Sequence, residues 1–266
     1  MFYDTHAHLH FPDFTADIEE VIARASDAGV SRIITIGTDF ETSRKSIELA
    51  DRFPSVFAAV GWHPTHVMEA PEDIRSELLG MTRHPKVVAL GETGLDYYWL
   101  PSKTKDASIT DEEHKRRQAS LFRQHLEVAA EAGLNCVVHQ RESFDDCVAQ
   151  LEPFADRVKG VFHCFSGSVP ELQRVLALDS IVSFTGILTF KKAHRIRETF
   201  AAVPEGKFMF ETDCPYLAPE PFRQKRCEPA FIRNTVEVAQ QARGCSLEAL
   251  SQSSCAAARA FFGRLS

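Results

Sequence analysis

Val87-Val88-Ala89-Leu90-Gly91-Glu92-Thr93-Gly94-Leu95-Asp96 opens as a buried β-strand and turns acidic where the strand should end. A carboxylate placed directly after the apolar run Val87–Leu90 is costly to bury unless it is paired or bound to a metal. The same design recurs along the chain. Short β-rich runs at Phe2–Thr5, Arg32–Gly37, Val56–Gly61, Val87–Gly91, Leu134–His139, Gly160–His163, Ile181–Thr185 and Phe208–Glu211 alternate with segments of helical period. Strands regularly spaced by helix-sized intervals predict a parallel sheet with crossover helices, and eight of them predict a (β/α)8 TIM barrel. With no linker, low-complexity tract or break in composition, residues 1–266 read as one domain of the α/β class.

The helical segments carry their own signals. Asp17 with Glu20 has the spacing of a capping box before the stripe Ile18, Val21, Ile22 and Ala25, and Ser168 with Glu171 repeats it before Leu172, Val175 and Leu176. Leu121, Phe122, His125, Val128, Ala129 and Ala132 mark one face of a long helix, and two further helices are expected around Ala230–Arg243 and Leu247–Phe262. The polar stretch Trp99–Glu113, with Lys103, Lys105 and Asp106, is expected as an exposed loop on the catalytic face.

Composition narrows the function. Apolar residues make up 44% and charged residues 25%, as in an ordinary soluble domain. No apolar run approaches the roughly 20 residues of a membrane span, and the N-terminus lacks a secretory pattern, which predicts a cytoplasmic protein. Seven cysteines without a CxxC pair predict reduced thiols, with Cys164 and Cys214 inert. A net charge of −7 argues against a protein that coats DNA but not against a nuclease that meets strand ends through bound cations.

Nearly every expected strand ends in a residue able to bind metal. His6-Ala7-His8 places two imidazoles on one side of the first strand. Glu92 follows the fourth strand, His139 the fifth, His163 the sixth and Asp213 the eighth. On a barrel these side chains converge at the C-terminal face of the strands. Nitrogen and oxygen donors without thiolate suit Mg²⁺, Mn²⁺ or Zn²⁺. The reading is a two-metal site, with His6, His8 and Asp213 on one ion, His139 and His163 on the other, and Glu92 bridging. Asp213 is the candidate general base, and Glu92 shares the catalytic centre. Arg141 is a candidate phosphate clamp, against the plainer alternative of a salt bridge to Asp145 or Asp146. Lys191, Lys192, Lys225 and Arg226 are candidates for a basic rim, and Tyr97, Tyr98, Trp99 and Trp62 for base stacking.

The motifs DTHAHL (Asp4–Leu9), GETGLDYY (Gly91–Tyr98), HQR (His139–Arg141), HCFSG (His163–Gly167) and ETDCPYLAP (Glu211–Pro219) occur in that order. So do FTGILTFKKA (Phe184–Ala193) and KRCEPA (Lys225–Ala230). In this the whole chain resembles the TatD family of metal-dependent deoxyribonucleases. The resemblance implies a TIM barrel, the six ligands above and hydrolysis of nucleic acid, DNA ends or single strands. The family's GxHPH appears as Gly61-Trp62-His63-Pro64-Thr65-His66, so His63 keeps its place as a substrate contact and His66 is displaced by one position. The family's RGKRNEP appears as Arg223-Gln224-Lys225-Arg226-Cys227-Glu228-Pro229. Two other functions remain open at this level. One is an ester or amide hydrolase on the same barrel, such as a deacylase of misacylated tRNA. The other is a non-catalytic nucleic-acid-binding protein. Glu92 in place of a carboxylatable lysine favours the phosphodiesterase over the first, and an intact ligand set disfavours the second. No residue pattern sets an oligomeric state.

Overall fold

A computed structural model describes residues 1–104 and 109–265. Eight parallel strands pair in chain order: β1 (Phe2–Ala7), β2 (Val30–Ile36), β3 (Val56–Val60), β4 (Val87–Asp96), β5 (Asn135–Arg141), β6 (Gly160–Phe162), β7 (Ile181–Phe184) and β8 (Phe208–Phe210). The segment after β8 meets β1 through a parallel bridge between Ala7 and Cys214, and Asp213 N donates to the His6 carbonyl at 2.8 Å. This brings the sheet round into a (β/α)8 barrel. The crossovers contain α1 (Ile18–Asp27), α2 (Phe40–Arg52), α3 (Arg75–Met81), α4 (Pro101–Thr104) with α5 (Asp111–Ala132), α6 (Phe144–Leu151), α7 (Val169–Ala177) and α8 (His194–Ala202). The helices α9 (Ile232–Arg243) and α10 (Leu247–Phe262) follow β8. None of the described helices is long and apolar enough to cross a membrane.

Two apolar clusters hold the barrel. One lies between strands and helices; in it Phe200 of α8 meets Phe184, Phe208 and Phe210 of β7 and β8 with ring centroids 5.0–5.7 Å apart. The other gathers strand residues such as Ile34, Val88, Val137 and Met209 with Phe261 and Phe262 of α10. Asn135 donates to the Phe261 carbonyl, and Arg264 donates to the carbonyl of Val87. Asn135 and Val87 begin their strands, so the C-terminal segment closes the amino-terminal mouth of the barrel. The opposite mouth is left for chemistry.

Two expectations need correction. Asp17 makes no side-chain cap on α1, because its carboxylate takes charge-assisted hydrogen bonds from Arg24 and Arg226 instead. The stretch Trp99–Glu113 is not wholly a loop: α4 occupies Pro101–Thr104 and α5 starts at Asp111, while Lys105 and Asp106 lie outside the described residues. The capping box of Ser168 with Glu171 forms as expected. β4 and β5 also run further than expected, to Asp96 and Arg141.

Phe200 is fully buried, so Phe200→Ala should cost about 3–5 kcal/mol of stability through lost burial and an unfilled cavity. Urea unfolding measures this. A loss under about 1 kcal/mol would mean that the α8 contact is not part of a close-packed core.

Candidate metal centre

The strands do not present their ligands by simple alternation. The β1–β2 register slips between Asp4 and Ala7, and the β4–β5 register between Leu90 and Thr93. These irregularities bracket His6 and Glu92. A local break in the pleat re-aims a side chain, which explains why both point into the mouth. Asp213 sits just after β8 with φ 56, a left-handed conformation that aspartate tolerates better than most residues. Its place is secured by Asp4, whose carboxylate accepts from Thr212 N at 2.9 Å and from the Thr212 hydroxyl at 2.6 Å. Asp4 is fully buried, and that burial pushes its pKa up to about 8 despite the hydrogen bonds.

Two groups of donors meet at Glu92. On one side, Glu92 Oε2 lies 3.3 Å from His6 Nε2 and 3.6 Å from His8 Nε2. Asp213 Oδ1 is 3.6 and 3.4 Å from the same two nitrogens, which are 3.3 Å from each other. On the other side, Glu92 Oε1 lies 2.8 Å from both His139 Nδ1 and His163 Nε2, which are 3.2 Å apart. Ligands held at about 2.1 Å around a tetrahedral ion stand roughly 3.4 Å from one another; the first group has this spacing, and the second is drawn tighter, to 2.8–3.2 Å. The donor chemistry and the spacing fit divalent metal.

Neighbouring groups set which nitrogen of each ring faces inward. His8 Nδ1 donates to the Ile36 carbonyl at 3.0 Å, leaving Nε2 for the centre. His139 Nε2 donates to Asp96 Oδ2 at 3.0 Å, leaving Nδ1. Such outer partners fix the tautomer and raise ligand basicity. Glu211 lies 3.6 Å from His163 Nδ1, an ion-pair separation, and accepts from Cys164 N at 2.6 Å. Asp96 and Glu211 stand inside quoted motifs but were given no role from sequence. Their signal was an acid at a buried strand end, the same argument that found Glu92.

Burial works to raise the Glu92 carboxyl, but positive charge on neighbouring histidines, His163 foremost, and the hydrogen bond from His139 outweigh it. They hold it well below the usual range. Asp213 is lowered likewise, with burial opposed by the hydrogen bond to His8 and by the charges of His6, His8 and His163. Conversely His163 is raised well above an ordinary histidine: burial opposes this, and Glu92 and Glu211 prevail. The field in this mouth favours positive charge.

His63, expected as a substrate contact, is drawn into the second group, with Nε2 3.3 Å from Glu92 Oε1 and 3.3 Å from His139 Nδ1. Its Nδ1 accepts from Thr65 N at 3.2 Å, so the neutral ring carries its proton on Nε2. Burial lowers its pKa to about 4 and keeps it neutral. A residue missed from sequence supports it: His125 of α5 accepts from Trp62 N at 2.9 Å and donates to the Leu121 carbonyl at 2.8 Å. Its place on an apolar helix face had marked it only as core.

A cavity of about 450 Å³ opens over these groups, with Phe11, His66, Trp99, Arg141 and Tyr216 at its walls. Arg141 does not pair with Asp145 or Asp146, which are engaged by Arg174 and by the Tyr97 hydroxyl; its guanidinium stacks on Tyr98, 3.8 Å from the ring centroid. Lys191 is exposed and does not line the cavity. Arg226 is also outside it, held by two 2.7 Å hydrogen bonds to Asp17. Thus all six expected ligands, His63 and Arg141 come together, and Lys191 and Arg226 do not. Cys214 is buried, and burial pushes the Cys164 thiol up to about 12.

Barrel and donor set together define a metal-dependent hydrolase. The chain belongs to the TatD family, matching the family described as TatD related DNase over residues 3–263. It is 34% identical to the uncharacterized metal-dependent hydrolase YabD of Bacillus subtilis, covering 94% of each chain. It is 32% identical to the 3′-5′ ssDNA/RNA exonuclease TatD of Erwinia billingiae, covering 98% of each. The crystal structure of YJJV, a TatD homolog from Escherichia coli K12, superposes with a TM-score of 0.87 at 28% identity over 98% of each chain.

Two outcomes are expected. Asp96→Asn should weaken Zn²⁺ or Mn²⁺ binding about 10–100-fold, as loss of an outer-shell carboxylate does; calorimetric titration showing unchanged affinity would remove its role. His125 is fully buried, and burial lowers its pKa from 6.5 to about 4. Between those values the unfolded chain binds a proton that the folded protein refuses, so stability falls as pH drops through this window, by on the order of 3 kcal/mol. His125→Gln keeps an acceptor for Trp62 N without titrating. Urea midpoints at about pH 4.5 and about pH 7 should therefore differ less in the variant than in the unaltered protein. Equal differences would refute the assignment.

Proposed function

We propose that this protein is a two-metal phosphodiesterase that degrades nucleic acid, DNA ends or single strands, in the cytoplasm. The observation that carries the proposal is the shared carboxylate: one Glu92 oxygen faces His6 and the other faces His139 and His163. In this reading His6, His8 and Asp213 would hold one cation and His139 and His163 the second, with Glu92 serving both. A bound pair of Mg²⁺, Mn²⁺ or Zn²⁺ ions supplies Lewis acidity toward a phosphoryl oxygen and lowers the pKa of water. The similarity to the Erwinia exonuclease supports nucleic acid as the substrate, and seven unpaired cysteines suit a reducing compartment.

The side chains divide the remaining work. Asp213 is the general base: its carboxylate is held ionised, and its side chain is 15% exposed where that of Glu92 is 4%, so it can meet water. It takes the proton as the water oxygen bonds to phosphorus and the P–O bond to the leaving nucleotide breaks. His63, neutral with its proton on Nε2, donates to a phosphate oxygen. Arg141 offers a planar fork to a second phosphate.

Incubation with single- and double-stranded oligonucleotides in Mg²⁺ or Mn²⁺, with EDTA controls, should release nucleotides only when metal is free. Asp213→Ala should lower the rate by at least about 100-fold, since base and ligand are lost together. No release of nucleotides alongside turnover of ester or amide substrates would transfer the protein to that class of hydrolase. Near-normal activity of the variant would end the role given to Asp213.

A further inference from the structure

Among the described residues, the large hydrophobic side chains most open to water are Met1, Met68, Tyr98, Trp99 and Tyr216. The three aromatics among them stand around the metal cavity. Trp99 and Tyr216 line it, 50% and 54% exposed, and Tyr98 lies beneath Arg141. Trp99 follows β4 and Tyr216 follows β8, strands on opposite sides of an eight-stranded barrel paired in chain order. The two rings therefore flank the ligands from opposite walls.

Both rings are fixed to the ligand machinery by their backbones. Asp96, which orients His139 through Oδ2, accepts from Tyr98 N at 2.9 Å and Trp99 N at 3.1 Å through Oδ1. Tyr216 N donates to the Asp213 carbonyl at 3.0 Å. Edge-on neighbours support each ring: Tyr98 beside Trp99 at 4.9 Å, and Phe11 beside Tyr216 at 5.9 Å. The other aromatic candidates are engaged elsewhere. Trp62 is buried with Nε1 donating to the His66 carbonyl, and Tyr97 donates to Asp146.

We infer that Trp99 and Tyr216 are a pair of platforms on which the unpaired nucleobases flanking the scissile phosphate stack, one on each side of the metal centre. This rests on the nucleic-acid reading above and adds specificity residues to it. Separate planar rings across a charged cavity suit splayed bases, because every base has a π-face that an aromatic ring can meet. A continuous apolar patch, as a protein partner would need, is not what these two rings make. Paired bases have their faces covered by neighbours in the duplex, so the platforms select unpaired ends.

Two measurements test this. The chain has two tryptophans, and Trp62 is 7% exposed, so fluorescence quenching by a ligand reports Trp99. In Mg²⁺, a deoxynucleoside monophosphate should quench the unaltered protein, and deoxyribose 5-phosphate, which lacks the base, should not. Trp99→Phe should abolish the response. In cleavage assays Trp99→Ala and Tyr216→Ala should each raise KM for a single-stranded oligonucleotide about ten-fold with kcat little changed. Trp99→Phe and Tyr216→Phe should retain most of the affinity. On an oligonucleotide made abasic on both sides of the cleaved bond, the alanine variants should match the unaltered protein. Equal quenching by the base-free sugar phosphate would overturn the platforms, as would an alanine effect of the same size on abasic substrate. If the unaltered protein cleaves no oligonucleotide in Mg²⁺ or Mn²⁺, the nuclease reading falls and the platforms with it; cleavage with unchanged KM in the variants overturns the platforms alone.

Discussion

Glu92 is a carboxylate removed from water within the buried strand β4, and it stays ionised only because positive charge or proton donors face both of its oxygens. Removing one partner from such a group is expensive, because an uncompensated charge is left in a dry site. That condition accounts for the crowd around it. His6 and His8 face one oxygen, and His139, His163 and His63 the other. Held ionised, Glu92 and Asp213 in turn favour positive charge in the mouth, as the raised pKa of His163 beside Glu92 shows. A buried carboxyl with hydrogen bonds but no cationic partner behaves differently: Asp4 has its pKa pushed up by burial to about 8 although Thr212 donates to both of its oxygens.

A parallel barrel meets this demand cheaply in covalent terms. Each ligand sits in the carboxyl half of its own strand or just past it, so residues as distant as His6 and Asp213 need no long loop to reach one point. The opposite end carries the structural load. There the C-terminal segment, with Phe261 and Phe262 in the inner cluster and Arg264 bonded to the start of β4, shuts the mouth that chemistry does not use. Stability and reactivity are thus separated along the barrel axis. The strained left-handed backbone at Asp213 and Cys164 belongs to the reactive end, where surrounding hydrogen bonds over-determine it.

Residues whose identity alone carries their chemistry were readable from sequence. His6, His8, Glu92, His139, His163 and Asp213 are ligand types at strand ends, and strand position follows from hydrophobic pattern. The strands were found for the same reason, with their ends misjudged where β4 and β5 run on to Asp96 and Arg141. Roles that depend on a partner from another element were not readable. Asp96 acts through His139, and His125 reaches the metal centre only through Trp62 and His63. Asp17 had the right spacing for a cap, but two guanidiniums from elsewhere compete for its oxygens and win. Arg226 looked like a basic rim in the linear motif for the converse reason: nothing local announces that Asp17 will hold it.

Ion pairing also resolves the tension between an acidic chain and an anionic substrate. There are 37 acidic against 30 basic residues, yet many bases are neutralised in place. Arg75 is bound by Asp73 and Glu127, Lys159 and Lys207 by Asp179, and Arg24 and Arg226 by Asp17 and Glu228. Arg141 differs. The acids that follow it most closely in sequence, Glu142, Asp145 and Asp146, are occupied by Lys103, Arg174 and Tyr97, and its flat face lies on Tyr98, an arrangement that keeps the charge. With a net charge of −7 the chain as a whole repels a polyanion at long range. Long-range charge would then disfavour binding along the length of a duplex and leave recognition to short-range contacts at the cavity.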